Sequence, residues 1–169
     1  MSAHWTSEEL RRKWKAANAE PAEDSRRIDA HRDVADECPA FVPNLLSLSR
    51  ALLTGLDTAG DPDARLAEAE YSLRTAVDVS AGAPEPLLEL GRFLATVRKE
   101  PTEAEGAFAS AASAALSLLE EAWAGWIAAL GEQGKVDAAL EVADQARRIL
   151  PDSAAISRAV ESAQRGTAR

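Results

Sequence analysis

Along the 169-residue chain, apolar residues recur at intervals of three and four and do not alternate with polar ones. Leu45, Leu48 and Leu52 fall on one face of a helix, as do Leu87, Leu90 and Leu94. Trp123, Trp126 and Leu130 repeat the spacing. Each triplet runs into a break, DTAGDPD from Asp57, KEPT from Lys99 and GEQGK from Gly131, after which a second helical pattern begins. Helix starts carry capping chemistry: Thr6 with Glu9 and Thr102 with Glu105 read as capping boxes. Asp61-Pro62 and Ala83-Pro84 place Pro where a first helical turn tolerates it. Runs of β-branched residues and strand-type alternation are missing. The pattern predicts an all-α chain of helical hairpins.

The hairpins resemble one another. In EEAWAGWIAALGEQGKVDAALEVADQARRILPDS, Glu120 to Ser153, a first helix carries Trp123, Trp126 and Leu130 and turns at Gly134. A second helix then places Ala139, Ala143 and Ala146 at intervals of four and three and stops before Pro151. This stretch resembles the tetratricopeptide repeat, a helix-turn-helix unit of about 34 residues. The Trp residues match its fourth and seventh places, Leu130 the eleventh, Gly134 the fifteenth, the alanines the twentieth, twenty-fourth and twenty-seventh, and Pro151 the thirty-second. The eighth place, normally small, holds Ile127. The alanine row has a physical reason: two helices cross at close range there, and a larger side chain would hold them apart.

The resemblance extends over nearly the whole chain. Residues 84–119 form a preceding unit, with Leu87, Leu90, Gly91 and Leu94 in its first helix and Ala104, Phe108 and Ala111 in its second. Residues 42–83 form another, in which Leu45, Leu48 and Leu52 lead through a stretched loop at 57–64 to Ala69, Leu73 and Ala76. Residues 8–41, with Leu10, Trp14 and Ala17 before Ile28, Val34 and Ala35, fit as a degenerate first repeat or an amino-terminal cap; Arg27 stands where Ala is wanted. Ile156, Ala159, Val160 and Ala163 make one stripe of a capping helix at 154–165, the solvating end that repeat arrays need. The family implies a right-handed superhelix of antiparallel hairpins, here about three to four repeats plus the cap, in a single domain spanning 1–169.

Composition narrows the partners. With 19 basic against 28 acidic residues the formal net charge is −9, which disfavours nucleic acid and anionic membrane surfaces. The amino-terminal MSAHWTSEELRRKWK lacks an apolar signal core, and the most apolar stretch, Ala107 to Leu119, is too short to span a membrane. A cytoplasmic location is expected. Cys38 is the sole cysteine, so no internal disulfide forms.

Candidate chemistry is thin, and no catalytic, cofactor or metal site is expected. His31 and Cys38 lie seven residues apart on one predicted face, but no third ligating or orienting group accompanies them. The pairs Glu8-Glu9 and Glu120-Glu121 sit at predicted helix starts, where the helix dipole favours acids. His4 is expected in solvent. Trp14, Trp123 and Trp126 are expected in packing, while Trp5 either staples the first helix near Leu10 or anchors a partner. The run RRKWK, Arg11 to Lys15, spreads its charges around Trp14 as a solvated face.

The resemblance instead implies a concave surface lined by the first helix of each unit. Its groove-facing places correspond here to Arg12, Leu46, Arg50, Leu53, Leu88, Arg92, Ala124 and Ala128. The Lys and Asn clamp with which some family members hold C-terminal tails is absent. Arg50 and Arg92 occupy the same place in successive repeats, so an acidic partner segment with apolar anchors fits; alternatively each Arg pairs with Glu85 or Glu89. The expected function is non-enzymatic binding of a protein or peptide segment, as adaptor or scaffold. The alternatives are a dedicated chaperone or assembly factor for one client, and an enzyme with an unrecognised site. The sequence leaves the oligomeric state open.

Overall fold

The computed structural model describes residues 5–21, 25–54 and 61–166. Every regular element among them is helical: α1 (Ser7–Ala19), α2 (Ser25–Glu37), α3 (Val42–Thr54), α4 (Pro62–Val79), α5 (Pro84–Phe93), α6 (Pro101–Glu132), α7 (Val136–Ile149) and α8 (Ala154–Gly166). A turn of π-helix, Leu94–Arg98, extends α5. The expectation for His4 lies outside the described residues, as do residues 57–60 of the stretched loop; Asp61 is the N-cap of α4, and residues 62–64, expected in the loop, belong to that helix.

The predicted caps are found in part. The Thr6 side chain accepts from Glu9 N and the Glu9 carboxylate accepts from Thr6 N, a reciprocal capping box that holds the Glu9 carboxyl below the usual carboxylate range. Pro62 and Pro84 open their helices. Thr102 does not cap: α6 begins at Pro101 and takes Thr102 into its first turn.

The chain divides into two compact units, Met1–Ala112 and Ser113–Arg169, each with its own core. In the first unit consecutive helices from α1 to α5 pack on one another. At its centre α3 is buried on nearly every side, from Asn44 and Leu45 through Ala51 and Leu52. Such a helix needs apolar or satisfied residues all round. Two of its buried polar residues have partners on neighbouring elements: Ser47 accepts from Trp14 Nε1 at 3.1 Å, and the Trp14 ring meets Phe41 edge-on. Asn44 Nδ2 donates to the His31 carbonyl and Asn44 Oδ1 lies 2.8 Å from His31 Nδ1. With its amide oriented this way, Asn44 accepts from His31 Nδ1–H. Gly91 of α5 lies against Phe108 of α6; a Cβ at Gly91 would stand 2.8 Å from the ring. The sequence places that glycine and that aromatic in the two helices of one unit.

In the second unit, Ala139, Ala143 and Ala146 are fully buried together with Ile127 and Ile156. Ile127 therefore fills the place where a small residue was expected, and the alanines opposite give it room. The capping helix is present: Ile156, Val160 and Ala163 bury one stripe of α8. A Cβ on Gly131 would come within 2.5 Å of Ala163, so α6 and α8 also touch backbone to backbone.

One expectation fails along α6. The turn expected between residues 119 and 120 does not occur, because α6 runs unbroken from Pro101 to Glu132. The reason is chemical: from Ala107 to Ala124 the helix contains no Gly or Pro, and it is dominated by Ala and Leu, the strongest helix formers. Two consequences follow. Glu120 and Glu121 sit mid-helix, not at a helix start, and Glu120 accepts from Ser153 Oγ, whose own oxygen caps Ile156 N at the head of α8. Trp126, expected in packing, is 51% exposed.

Two measurements test this account. Ala143→Phe should overpack the α6–α7 crossing and cost about 1–3 kcal/mol, read as a lowered thermal midpoint; an unchanged midpoint would show that Ala143 is not at the crossing. His31 is held below the ordinary imidazole value, first by burial, with the Asn44 hydrogen bond opposing and Arg27 adding to it. The unfolded chain takes up a proton near pH 6.5 and the native one only at lower pH, so stability should fall as pH drops below about 6.5. Combining His31→Leu with Asn44→Leu should flatten that fall in urea titrations.

Candidate functional site

Arg50 and Arg92 are brought together in the first unit by the packing of α3 on α5. Both guanidinium groups reach one carboxylate: Arg50 Nη2 donates to Glu89 Oε1 at 3.0 Å and Arg92 Nη1 to the same oxygen at 3.2 Å. Glu85 stands 3.8 Å from Arg50. The pairing with acidic neighbours that the sequence offered as an alternative is therefore what the structure contains. Both arginines remain about half exposed, so the pairing holds them in place more than it stabilises the fold.

Beneath this cluster is a hollow of about 90 Å³ lined by Arg50, Leu53, Glu89, Arg92, Phe93 and Val97, among others. It is far smaller than a typical small-molecule site and suits one apolar side chain. The π turn shapes it. Each π turn takes in an extra residue, which shifts Thr96 and Val97 around the axis relative to an α-helix. Lys99, at φ 62°, ends that turn with its N–H on the Leu94 carbonyl. Thr54 and Thr96 donate to the carbonyls of Arg50 and Arg92.

The remaining expected groove positions divide. Leu88 is exposed and Leu53 half-buried, as a surface lining requires. Leu46 is 3% exposed and belongs to the core, on a side of α3 that the neighbouring helices cover. Arg12 lines a separate hollow on α1 with Glu8, Arg11 and Lys15. Ala124 and Ala128, both half-buried, lie on α6 in the second unit.

Sequence reasoning missed Phe93, Thr96 and Val97, because a π turn leaves no periodic signature. A usable signal did exist: Arg50 with Thr54 in SRALLT recurs as Arg92 with Thr96 in GRFLAT. It also missed a hollow of about 400 Å³ between α2 and α4, lined by Ala35, Pro39, Leu45, Leu48 and Tyr71, with Arg32 and Glu68 at its rim. Arg32 is held there by a two-pronged pair with Glu68, at 2.8 and 2.6 Å, which raises its pKa. Nearby, Glu70 takes Arg74 and Arg98; partial burial works against its charge, and the two guanidinium groups still hold its carboxyl low.

The other flagged residues take structural places. His31 is fully buried on Asn44, and Cys38 lies just past the end of α2, half-buried. Trp5 is tied to α2 by its backbone N–H on the Glu37 carboxylate, and Lys13 sits over its ring. Among the described residues no three His, Cys, Asp or Glu side chains could hold a metal ion, and no helix is long and apolar enough to cross a membrane.

Comparison with known proteins agrees with this architecture. The Myxococcota tetratricopeptide repeat protein family matches residues 2–81. A Myxococcus xanthus protein described as "Uncharacterized 18.1 kDa protein in carS 3'region" is 64% identical over 169 residues, covering 99% of each chain. No solved structure matches. The hairpin packing, the glycine and alanine crossings and these two matches lead to one conclusion: the chain belongs to the Myxococcota tetratricopeptide repeat protein family.

Proposed function

We propose that the protein is a non-enzymatic interaction module that takes a segment of a partner protein on the α3–α5 face of its first unit, as an adaptor or scaffold. The observation that carries this reading is the α3–α5 cluster itself: an apolar hollow sized for one side chain, beneath two arginines fixed by a shared carboxylate. An apolar anchor of the partner enters beside Leu53, Phe93 and Val97. A carboxylate of the partner displaces or joins Glu89, since exposed ion pairs exchange at little cost and each guanidinium engages Glu89 through one nitrogen. Membership of a family of protein-binding repeats supports the same reading.

The test combines Arg50→Glu with Arg92→Glu. Wild-type protein should retain a partner from extracts of its native host, and the variant should lose it while keeping its helical circular dichroism. Binding by the wild type should weaken as salt is raised. Equal retention by both proteins, with flat salt dependence, would place the partner elsewhere on the chain.

A further inference from the structure

The trough between α2 and α4 lies wholly within the first unit and has no part in the α3–α5 reading. Both of its helices pack on α3. Arg32, Ala35 and Asp36 of α2, with Pro39 just past its end, form one wall; Glu68, Tyr71, Ser72 and Thr75 of α4 form the other. Each set follows the spacing i, i+3, i+4, i+7, one face of a helix over two turns, so each wall is about 10 Å long. Leu45 and Leu48 of α3 make the floor. The Arg32–Glu68 pair joins the walls at the first position of each set. At about 100° per residue, the floor leucines stand roughly 140° round α3 from Arg50 and Leu53, so the two hollows open on different sides of that helix.

The occupant follows from three observations. Asp36, Pro39 and Tyr71 are exposed along the rims, so the trough is open lengthwise. Small-molecule sites enclose most of their ligand, whereas an open trough suits a chain segment laid in it. Among the described residues Tyr71 is the most exposed large hydrophobic side chain, at 71%, and it stands with Ala35 over a leucine floor, a place for an aliphatic side chain. The charge is acidic. Arg32, the cation of the lining, is committed to Glu68 and Asp29, while Asp36 makes no hydrogen bond or ion pair among the described residues. Asp29 and Asp33, seven and three residues before Asp36 and both exposed, continue the acid along the same flank of α2. A basic side chain complements this rim, and an arginine has a planar group that also stacks on the Tyr71 ring.

We propose that the α2–α4 trough is a second docking surface, for a partner segment that sets an Arg or Lys on Asp36 and an aliphatic side chain against Tyr71 and Ala35. It selects a segment opposite in charge to the one that fits the arginines of α3 and α5, and it stands whether or not that other face binds.

Fluorescence anisotropy with labelled seven-residue peptides tests it. In one peptide Leu alternates with Arg, in a second Leu alternates with Glu, and in a third Ser alternates with Arg. The Arg–Leu peptide should bind at least tenfold more tightly than either of the others, and its binding should weaken as salt is raised. Tyr71→Ala leaves the charge unchanged and should weaken that binding roughly tenfold with circular dichroism retained. Asp36→Asn should weaken it too, and Asp144→Asn, the same change of charge on exposed α7 surface, should not. In nitrogen-15-labelled protein the peptide should shift amide signals along residues 32–39 and 68–75. Equal affinity for the three peptides, no effect of Tyr71→Ala, or shifts centred on Arg50 and Arg92 would each overturn the proposal. So would binding of octylamine but no peptide, which assigns the trough to a small amphiphile, or self-association that Tyr71→Ala abolishes, which assigns it to a second copy.

Discussion

How close two helices can come is decided by the side chains at the crossing, and the rest of this structure depends on keeping those side chains small. At Gly91 the ring of Phe108 occupies the space a Cβ would need, and at Gly131 the backbone of Ala163 does. Ala139, Ala143 and Ala146 extend the same condition along α7, with no exposed surface left on any of them. Once the backbones are this close, the larger residues have definite volumes to fill: Ile127 and Ile156 in one unit, Leu52, Phe93 and Leu94 in the other. Close packing of this kind tolerates neither extra volume nor missing volume.

Around those crossings the polar residues are organised to hold the helices together. Arg32 ties α2 to α4 through Glu68, and Glu70 of α4 takes both Arg98 of the π turn and Arg74 of its own helix, which also reaches Glu103. Deeper in, the Asn44 side chain meets both the His31 carbonyl and His31 Nδ1 between α2 and α3. The surface pairs contribute little each, whereas burial works against the charged form of the imidazole. The arginines beside Glu89 belong to the first kind in energy, and they differ in sitting over an apolar opening.

The parts of the fold that the sequence revealed are those with a local chemical mark. The alanine row, the Gly91–Phe108 pair, the Thr6–Glu9 box and the prolines at helix starts each report a backbone requirement directly. Three features carried no such mark. The continuity of α6 is defined by the absence of a stop between Ala107 and Ala124, and the repeat register placed a turn there because neighbouring units have one. Leu46 was assigned to an open surface by its place in the repeat, but α1, α2, α4 and α5 together leave α3 little open face. The π turn that brings Val97 to the hollow depends on how α5 ends, which periodicity does not encode. Of the candidate site, the two arginines and their carboxylate were legible because charge and spacing repeat; the hollow under them was not, because its shape arises from packing between helices.

The middle of α6 has a dynamic consequence. From Ala112 to Leu119 only Ala114 is even partly covered within the chain, so the amide hydrogens of this stretch are protected by the helix ladder alone. Their exchange with solvent is governed by local opening and not by loss of either core. The stiffness of the segment is then a matter of composition: Ala and Leu sustain it, and one Gly there would release about 1 kcal/mol of it. A change of helix propensity between Ala112 and Leu119 therefore acts on the helix itself and leaves the packing of either core untouched.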